Sequence, residues 1–267
     1  MDYLRIFDTL WSDYISLVPS ALKIFSLFER MNEDVENDHI AIRTFQHPRV
    51  SIEVLSKLFI KAGYVERGEY NFEEKKLYAK HFEHKSAKNA PRVFISELRY
   101  NEFSSFMQQL VDLMVLNVPQ NLINSGELIF ARNVFGVPSY EFYELLRKES
   151  EYAAWLYAYG FRANHFTVSV NSLTSFKNLE SVNELLKNNG YILNNSGGEI
   201  KGKPEDLLQQ SSIMAEIIPV KFKEGVYRIP SCYYEFALRY PDTNGKLYSG
   251  FIAKSADKIF ESTNFYS

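Results

Sequence analysis

The chain has 267 residues, 46% apolar and 15% aromatic, enough for one substantial core or two small ones. A formal charge of −3 gives no electrostatic reason to expect nucleic acid or an anionic membrane as a partner. A single cysteine, Cys232, excludes an internal disulfide framework, and no apolar run approaches the length of a membrane span. The N-terminus, MDYLRIFDTLW, is amphipathic and unlike a signal peptide, so a soluble cytoplasmic protein is expected.

Leu4, Phe7, Leu10, Trp11 and Tyr14 recur at helical spacing, and Pro19 opens a second helix carrying Leu22, Phe25 and Phe28. These two helices predict an N-terminal cap over residues 1–36. The polar stretch Asn32–Asp38 reads as a loop. Asn37–Phe45, NDHIAIRTF, then alternates: Ile40, Ile42 and Thr44 point one way, and His39, Ala41, Arg43 and Phe45 the other. His39 and Arg43 are roughly 13 Å apart along such a strand. Burying either without a partner is costly, so they are satisfied structural residues or they line a site.

An amphipathic helical stretch follows, with Val54, Leu55, Leu58, Phe59 and Ala62, stopping at Gly63-Tyr64. Strands are predicted at Lys76–His84 and Arg92–Leu98, with a further short one near Tyr64–Glu69, giving β-α-β-β over residues 37–100. Residues 101–160 read as a helical insertion. One apolar stripe there holds Phe103, Phe106, Met107, Leu110, Met114 and Val115; Ser139 caps a helix running towards Gly160. These stripes are assigned to the core and given no chemistry.

The strand pattern then recurs. In NHFTVSV, His165, Thr167 and Ser169 share one face, and a helix carrying Leu179, Val182, Leu185 and Leu186 again stops at Gly-Tyr, Gly190-Tyr191. The matched strand, helix length and stop signal indicate an internal repeat over residues 161–241. Asn194–Lys203 is a flexible turn or lid candidate. Ser212–Val220 and Tyr227–Tyr240, the latter bent at Pro230, are predicted strands. The tail, residues 242–267, ends in a short helical stretch. No linker is rich enough in Gly, Ser or Pro to divide the chain, so residues 1–267 read as one α+β domain.

Of five histidines, His39 and His165 stand out because they occupy equivalent repeat positions, and two imidazoles at one seam suit a transition metal. His47, His81 and His84 read as packing or solvated residues. A further ligand should be an inward carboxylate. Glu235, in CYYEFALRY, shares a face with Tyr233, Ala237 and Arg239, where it could serve a metal or pair with Arg239. Glu97, in FISEL, is its counterpart in the first repeat, in a register that the sequence leaves open.

Repeated β-α-β-β units with these His and Glu positions resemble the vicinal oxygen chelate superfamily, built as a curved mixed sheet around a metal cleft. NDHIAIRTF, FISEL, the QQSS run and CYYEFALRY resemble more closely the 2-oxoadipate dioxygenase/decarboxylase (hydroxyglutarate synthase) family, in dispersed blocks from Asn37 to Tyr240. The resemblance implies Fe(II) held by His39, His165 and Glu235, with Glu97 a fourth ligand or neighbour, and with Zn or Ni able to replace iron in a purified sample. It implies O2 and a small 2-oxo acid as partners, with Arg43 receiving a substrate carboxylate and Ser169, Gln210, Ser211 and Arg239 completing the substrate site. Characterised members are longer and hold the distal carboxylate with a C-terminal segment. The resemblance therefore carries the metal chemistry further than it carries specificity for 2-oxoadipate. The competing readings are a glyoxalase-like isomerase or lyase with four ligands, including Glu97, and a non-catalytic binding module of the same fold.

Overall fold

Both His-bearing segments form strands, and they lie side by side. A computed structural model describes residues 1–252, 258–259 and 261–263. Helices α1 (Tyr3–Leu17) and α2 (Pro19–Arg30) precede β1 (Asn37–Phe45). The Asp2 side chain accepts from the Arg5 amide at the start of α1, and Pro19 occupies the first turn of α2, where its missing N–H is harmless. The helical stretch after β1 is broken into α3 (Ile52–Leu55) and α4 (Lys57–Lys61), which lead to β2 (Tyr64–Phe72), β3 (Leu77–His84) and β4 (Arg92–Leu98). The short strand expected near Tyr64 is thus a full one.

The central region holds α5 (Ser105–Leu116), α6 (Gln120–Ser125), α7 (Tyr140–Glu149) and α8 (Glu151–Tyr159). The single helix expected from Ser139 to Gly160 is in fact two, because Ser150 leaves the helical conformation and its side chain caps α8 at the Ala153 amide. The second repeat follows as β5 (Ala163–Ser169), α9 (Leu179–Asn188), β6 (Leu208–Ser212), β7 (Ile217–Phe222), β8 (Gly225–Pro230) and β9 (Tyr233–Arg239).

Seven strands make one mixed sheet in the order β2-β3-β4-β1-β5-β9-β6. The repeats meet at β1 and β5, which run antiparallel, and each is flanked by the last strand of its own repeat in parallel, β4 beside β1 and β9 beside β5. The second repeat departs from the expected strands. QQSS is itself β6, paired with β9, while β7 and β8 form a separate hairpin. The expected Ser212–Val220 and Tyr227–Tyr240 strands are therefore each divided. Pro219 is tolerated in the hairpin, where a strand has an unpaired edge that needs no N–H.

One sheet face is closed by the N-terminal helices. Trp11 packs edge-on against Phe166 with ring centroids 5.0 Å apart, and Phe28 lies against Phe236. The opposite face carries His39, Arg43, His165 and Glu235, covered by α8 and by the segment around Phe251. This double cover explains why eight of the nine residues of β1 are buried. The Gly63 stop is obligatory: its φ is 103°, and a Cβ there would come within 2.8 Å of His84 Nε2. Of the tail, residues 258–259 are helical and Glu261–Thr263 form a 3-10 turn; residues 253–257, 260 and 264–267 lie outside the described residues.

Candidate metal centre

Strand register assembles the site. His39 pairs with Thr167 across the β1–β5 seam, Thr167 pairs with Glu235 across β5–β9, and Ala41 pairs with His165. Paired residues face the same side, so two imidazoles and a carboxylate from three adjacent strands converge. His39, His165 and Glu235 each offer one donor atom, all within 4.8 Å of one another, the one such cluster of three among the described residues. Glu235 Oε1 is 3.4 Å from His39 Nε2, and Glu235 Oε2 is 3.5 Å from His165 Nε2. All three side chains are buried, Glu235 completely.

The electrostatics of the cluster suit a cation. Burial pushes the Glu235 carboxyl up to about 8, against the hydrogen bond it accepts from Gln210 Nε2 at 2.6 Å. Burial lowers His39 and lowers His165 well below the ordinary range, leaving both rings neutral at pH 7. Neither His165 Nε2 nor Glu235 Oε2 has a hydrogen-bond partner. Buried orphans of this kind are costly, and a divalent ion between them would satisfy both. Two nitrogens and one oxygen, with donor separations near the roughly 3 Å expected around a single ion, fit a two-histidine, one-carboxylate metal site.

The orientation of His39 is fixed from behind. Its Nδ1 donates to Asp38 Oδ1 at 2.7 Å, and Thr167 Oγ1 lies 3.2 Å from Nε2. Asp38 in turn receives Arg239 through two contacts, Nε at 2.7 Å and Nη2 at 2.9 Å, and Arg92 Nη1 at 3.3 Å. Burial would raise the Asp38 carboxyl, but Arg239, the His39 hydrogen bond and Arg92 hold it well below the usual range.

Arg43 is also buried, on the same face as His39. Its guanidinium lies 4.9 Å from the Tyr152 ring centroid and 5.1 Å from that of Trp155. Its Nε and Nη1 have no hydrogen-bond partner, and no ion pair to it occurs among the described residues. Arg43 lines an open pocket of about 770 Å³ together with Lys75, Glu151, Tyr152, Glu261 and Thr263.

Four site expectations need correction. Glu97 is not in the cluster: it pairs with Thr44 in register, so it faces the helix side, where it accepts from Gln46 Nε2 and the Ile52 amide. Ser211 faces that side too, and its hydroxyl donates to Asn183 of α9. Arg239 is engaged by Asp38 and by the carbonyls of Tyr248 and Gly250 rather than by Glu235 as an ion pair. Ser169 sits at the far end of β5, lining a surface pocket with Asp38 and Arg92 rather than the cluster. Gln210, by contrast, reaches Glu235. The lid candidate is tethered: Lys201 is buried and donates to the carbonyls of Asn194 and Gly198, and burial lowers its amine to about 8.

Sequence reasoning missed Asp38, Thr167 as a contact of His39, the Arg43 shelf of Tyr152 and Trp155, and Phe251. The Phe251 ring lies edge-on to His39 with centroids 4.8 Å apart. A signal for Asp38 was present, since an Asp or Asn precedes the histidine in both repeats. The aromatics of α8 gave none, since helical spacing cannot say which ring meets which strand.

The family model for 2-oxoadipate dioxygenase/decarboxylase matches residues 10–133 and 129–245. The 2-oxoadipate dioxygenase/decarboxylase of Oryza sativa subsp. japonica, a chloroplastic/amyloplastic protein by name, is 34% identical over 280 residues, covering 94% of this chain and 76% of that one. The crystal structure of hydroxyglutarate synthase from Oryza sativa, in complex with 2-oxoadipate, superposes with a TM-score of 0.91 at 30% identity, covering 98% of this chain and 91% of that one. A Shewanella frigidimarina protein, solved under the provisional description of a hydrolase, superposes with a TM-score of 0.89 at 48% identity, covering 94% and 98%. This chain thus spans about three quarters of the curated rice protein and most of the solved rice chain. Matching along nearly its whole length, the chain belongs to the 2-oxoadipate dioxygenase/decarboxylase family of enzymes.

Proposed function

We propose that this chain is an Fe(II)-dependent enzyme that oxidatively decarboxylates a 2-oxo acid such as 2-oxoadipate and hydroxylates the shortened acid. One 2-oxo acid and one O2 become one CO2 and one 2-hydroxy acid a carbon shorter, 2-hydroxyglutarate in the case of 2-oxoadipate. The observation that carries this reading is the buried trio His39, His165 and Glu235, with orphaned atoms at His165 and Glu235, and a buried Arg43 on the same sheet face whose Nε and Nη1 have no hydrogen-bond partner. Iron held there by His39, His165 and Glu235 would supply the electron chemistry that lets O2 react. Zn or Ni could occupy the same donors in a purified sample.

The chain's own residues do the rest. Neutral His39 and His165 keep lone pairs available at Nε2, and Gln210 holds the Glu235 carboxylate in place. Arg43 receives a substrate carboxylate, since its planar fork has unspent donors at Nε and Nη1 and its guanidinium rests over the Tyr152 and Trp155 rings. Phe251 covers His39 and limits the entry of water. A glyoxalase-like isomerase with Glu97 as fourth ligand lacks its ligand, because Glu97 is on the other face of the sheet. A cytoplasmic, reducing setting is part of the proposal and suits the free, buried thiol of Cys232.

The test is stoichiometric. Protein loaded anaerobically with Fe(II) and given 2-oxoadipate and O2 should consume O2, release CO2 and form 2-hydroxyglutarate in equal amounts. Product formation without O2, or O2 use that does not depend on a 2-oxo acid, would overturn the proposal.

A further inference from the structure

The two repeats support their histidines unequally. Behind His39 stands a carboxylate, Asp38, 2.7 Å from Nδ1. At the equivalent place behind His165 stands an amide, Asn164, whose Oδ1 is 3.3 Å from Nδ1 and whose Nδ2 is buried without a partner. Asp38 is itself gripped by Arg239 and Arg92, so its negative charge is fixed beside two guanidinium groups. A carboxylate accepting from Nδ1–H holds the imidazole proton on that nitrogen and makes Nε2 a stronger donor. An amide at 3.3 Å does this weakly. Arg239 ties the same unit to the tail, because Nη1 donates to the Gly250 carbonyl at 2.7 Å and to that of Tyr248 at 3.0 Å, placing Phe251 against the His39 ring.

We propose that Asp38 is a positioning residue that makes His39 the dominant nitrogen donor of the metal site, with Arg239 coupling that donor to the segment that covers it. Nothing in the composition of a two-histidine site requires such inequality; here it is written in the difference between Asp38 and Asn164. The inference rests on the metal reading above and goes beyond it by ranking the ligands and naming what ranks them.

The experiment measures the affinity of the full chain for Fe(II), anaerobically, and for Co(II), by competition with a chelator, together with the melting temperature of the metal-free protein. Asp38→Asn should weaken both affinities by about 10–100-fold and shift the visible absorption of the Co(II) protein, whereas Asn164→Ala should change affinity by less than about threefold. Asp38→Asn leaves two arginines facing an amide and can lose stability for that reason alone. Asp38→Asn/Arg239→Gln removes that excess charge, and the expected result is recovered melting temperature with affinity still low. Affinity that returns with stability in the double variant assigns Asp38 a structural role and overturns the proposal, as does equal weakening by Asp38→Asn and Asn164→Ala. A native chain that binds neither metal overturns the metal reading, and this inference with it. Tight native binding that Asp38→Asn leaves unchanged overturns this inference alone.

Discussion

Replacing Glu235 by Gln should make the metal-free protein more stable while removing its capacity for metal. Burial raises this carboxyl from an ordinary 4.5 to about 8, so between those pH values the metal-free folded chain holds a proton that the unfolded chain has released. The sign follows from linkage: a group with a raised folded pKa contributes most below its unfolded value, and that contribution is lost as pH rises from about 4.5 through about 8. Each pKa unit corresponds to about 1.4 kcal/mol, so the cost of the carboxyl relative to a neutral isostere grows from about zero at pH 4 to about 3 kcal/mol at pH 7 and about 5 kcal/mol at pH 9. Gln keeps the shape, can still accept from Gln210, and can point its amide N–H at the orphaned Nε2 of His165. At roughly 2–4 °C per kcal/mol for a chain of this size, the metal-free variant should melt roughly 6–12 °C above the metal-free native chain at pH 7, with a wider gap at pH 9. Scanning calorimetry of chelator-treated protein across that range is the assay. Added Fe(II) or Zn(II) should raise the melting temperature of the native chain and leave the variant unmoved. A metal-free variant that melts no higher than the native chain, or a gap that does not widen with pH, refutes the reasoning.

Arg43→Lys keeps the charge but loses the planar fork, and should depress turnover of 2-oxo acids by at least tenfold, about 1.4 kcal/mol of transition-state stabilisation. Metal content, read by mass spectrometry, should stay normal, and unchanged turnover would remove Arg43 from substrate binding. Glu97→Gln should leave metal affinity within about twofold of the native value, because the carboxylate serves Gln46 and the Ile52 amide on the other sheet face. Loss of metal in that variant would return Glu97 to the ligand set.

Much of this site was legible because the chain repeats itself. Two strands with a histidine at the same place before matched helices put His39 and His165 at one seam, and alternation put Arg43 on the same face as His39. The same alternation failed wherever register between strands decided the outcome. Glu97 looks equivalent to Glu235, but β4 pairs with β1 so that Ser96, not Glu97, shares the face of Arg43. Gln210 and Ser211 are adjacent in one run, and the pleat sends the first to Glu235 and the second to α9. Arg239 lay on the expected face, but a cation chooses among carboxylates in three dimensions, and Asp38 is 201 residues away in sequence. Tyr152, Trp155 and Phe251 reach the site from outside the repeats, where the repeated pattern offered no guide.

The central claim is that His39, His165 and Glu235 hold one iron. Crystals loaded anaerobically with Fe(II), with diffraction recorded on both sides of the iron absorption edge, test it most directly. One anomalous peak is expected about 2 Å from His39 Nε2, His165 Nε2 and a Glu235 carboxylate oxygen, still present in Arg43→Lys and absent in Glu235→Gln. A peak elsewhere in the molecule, or none at this cluster at full loading, would contradict it.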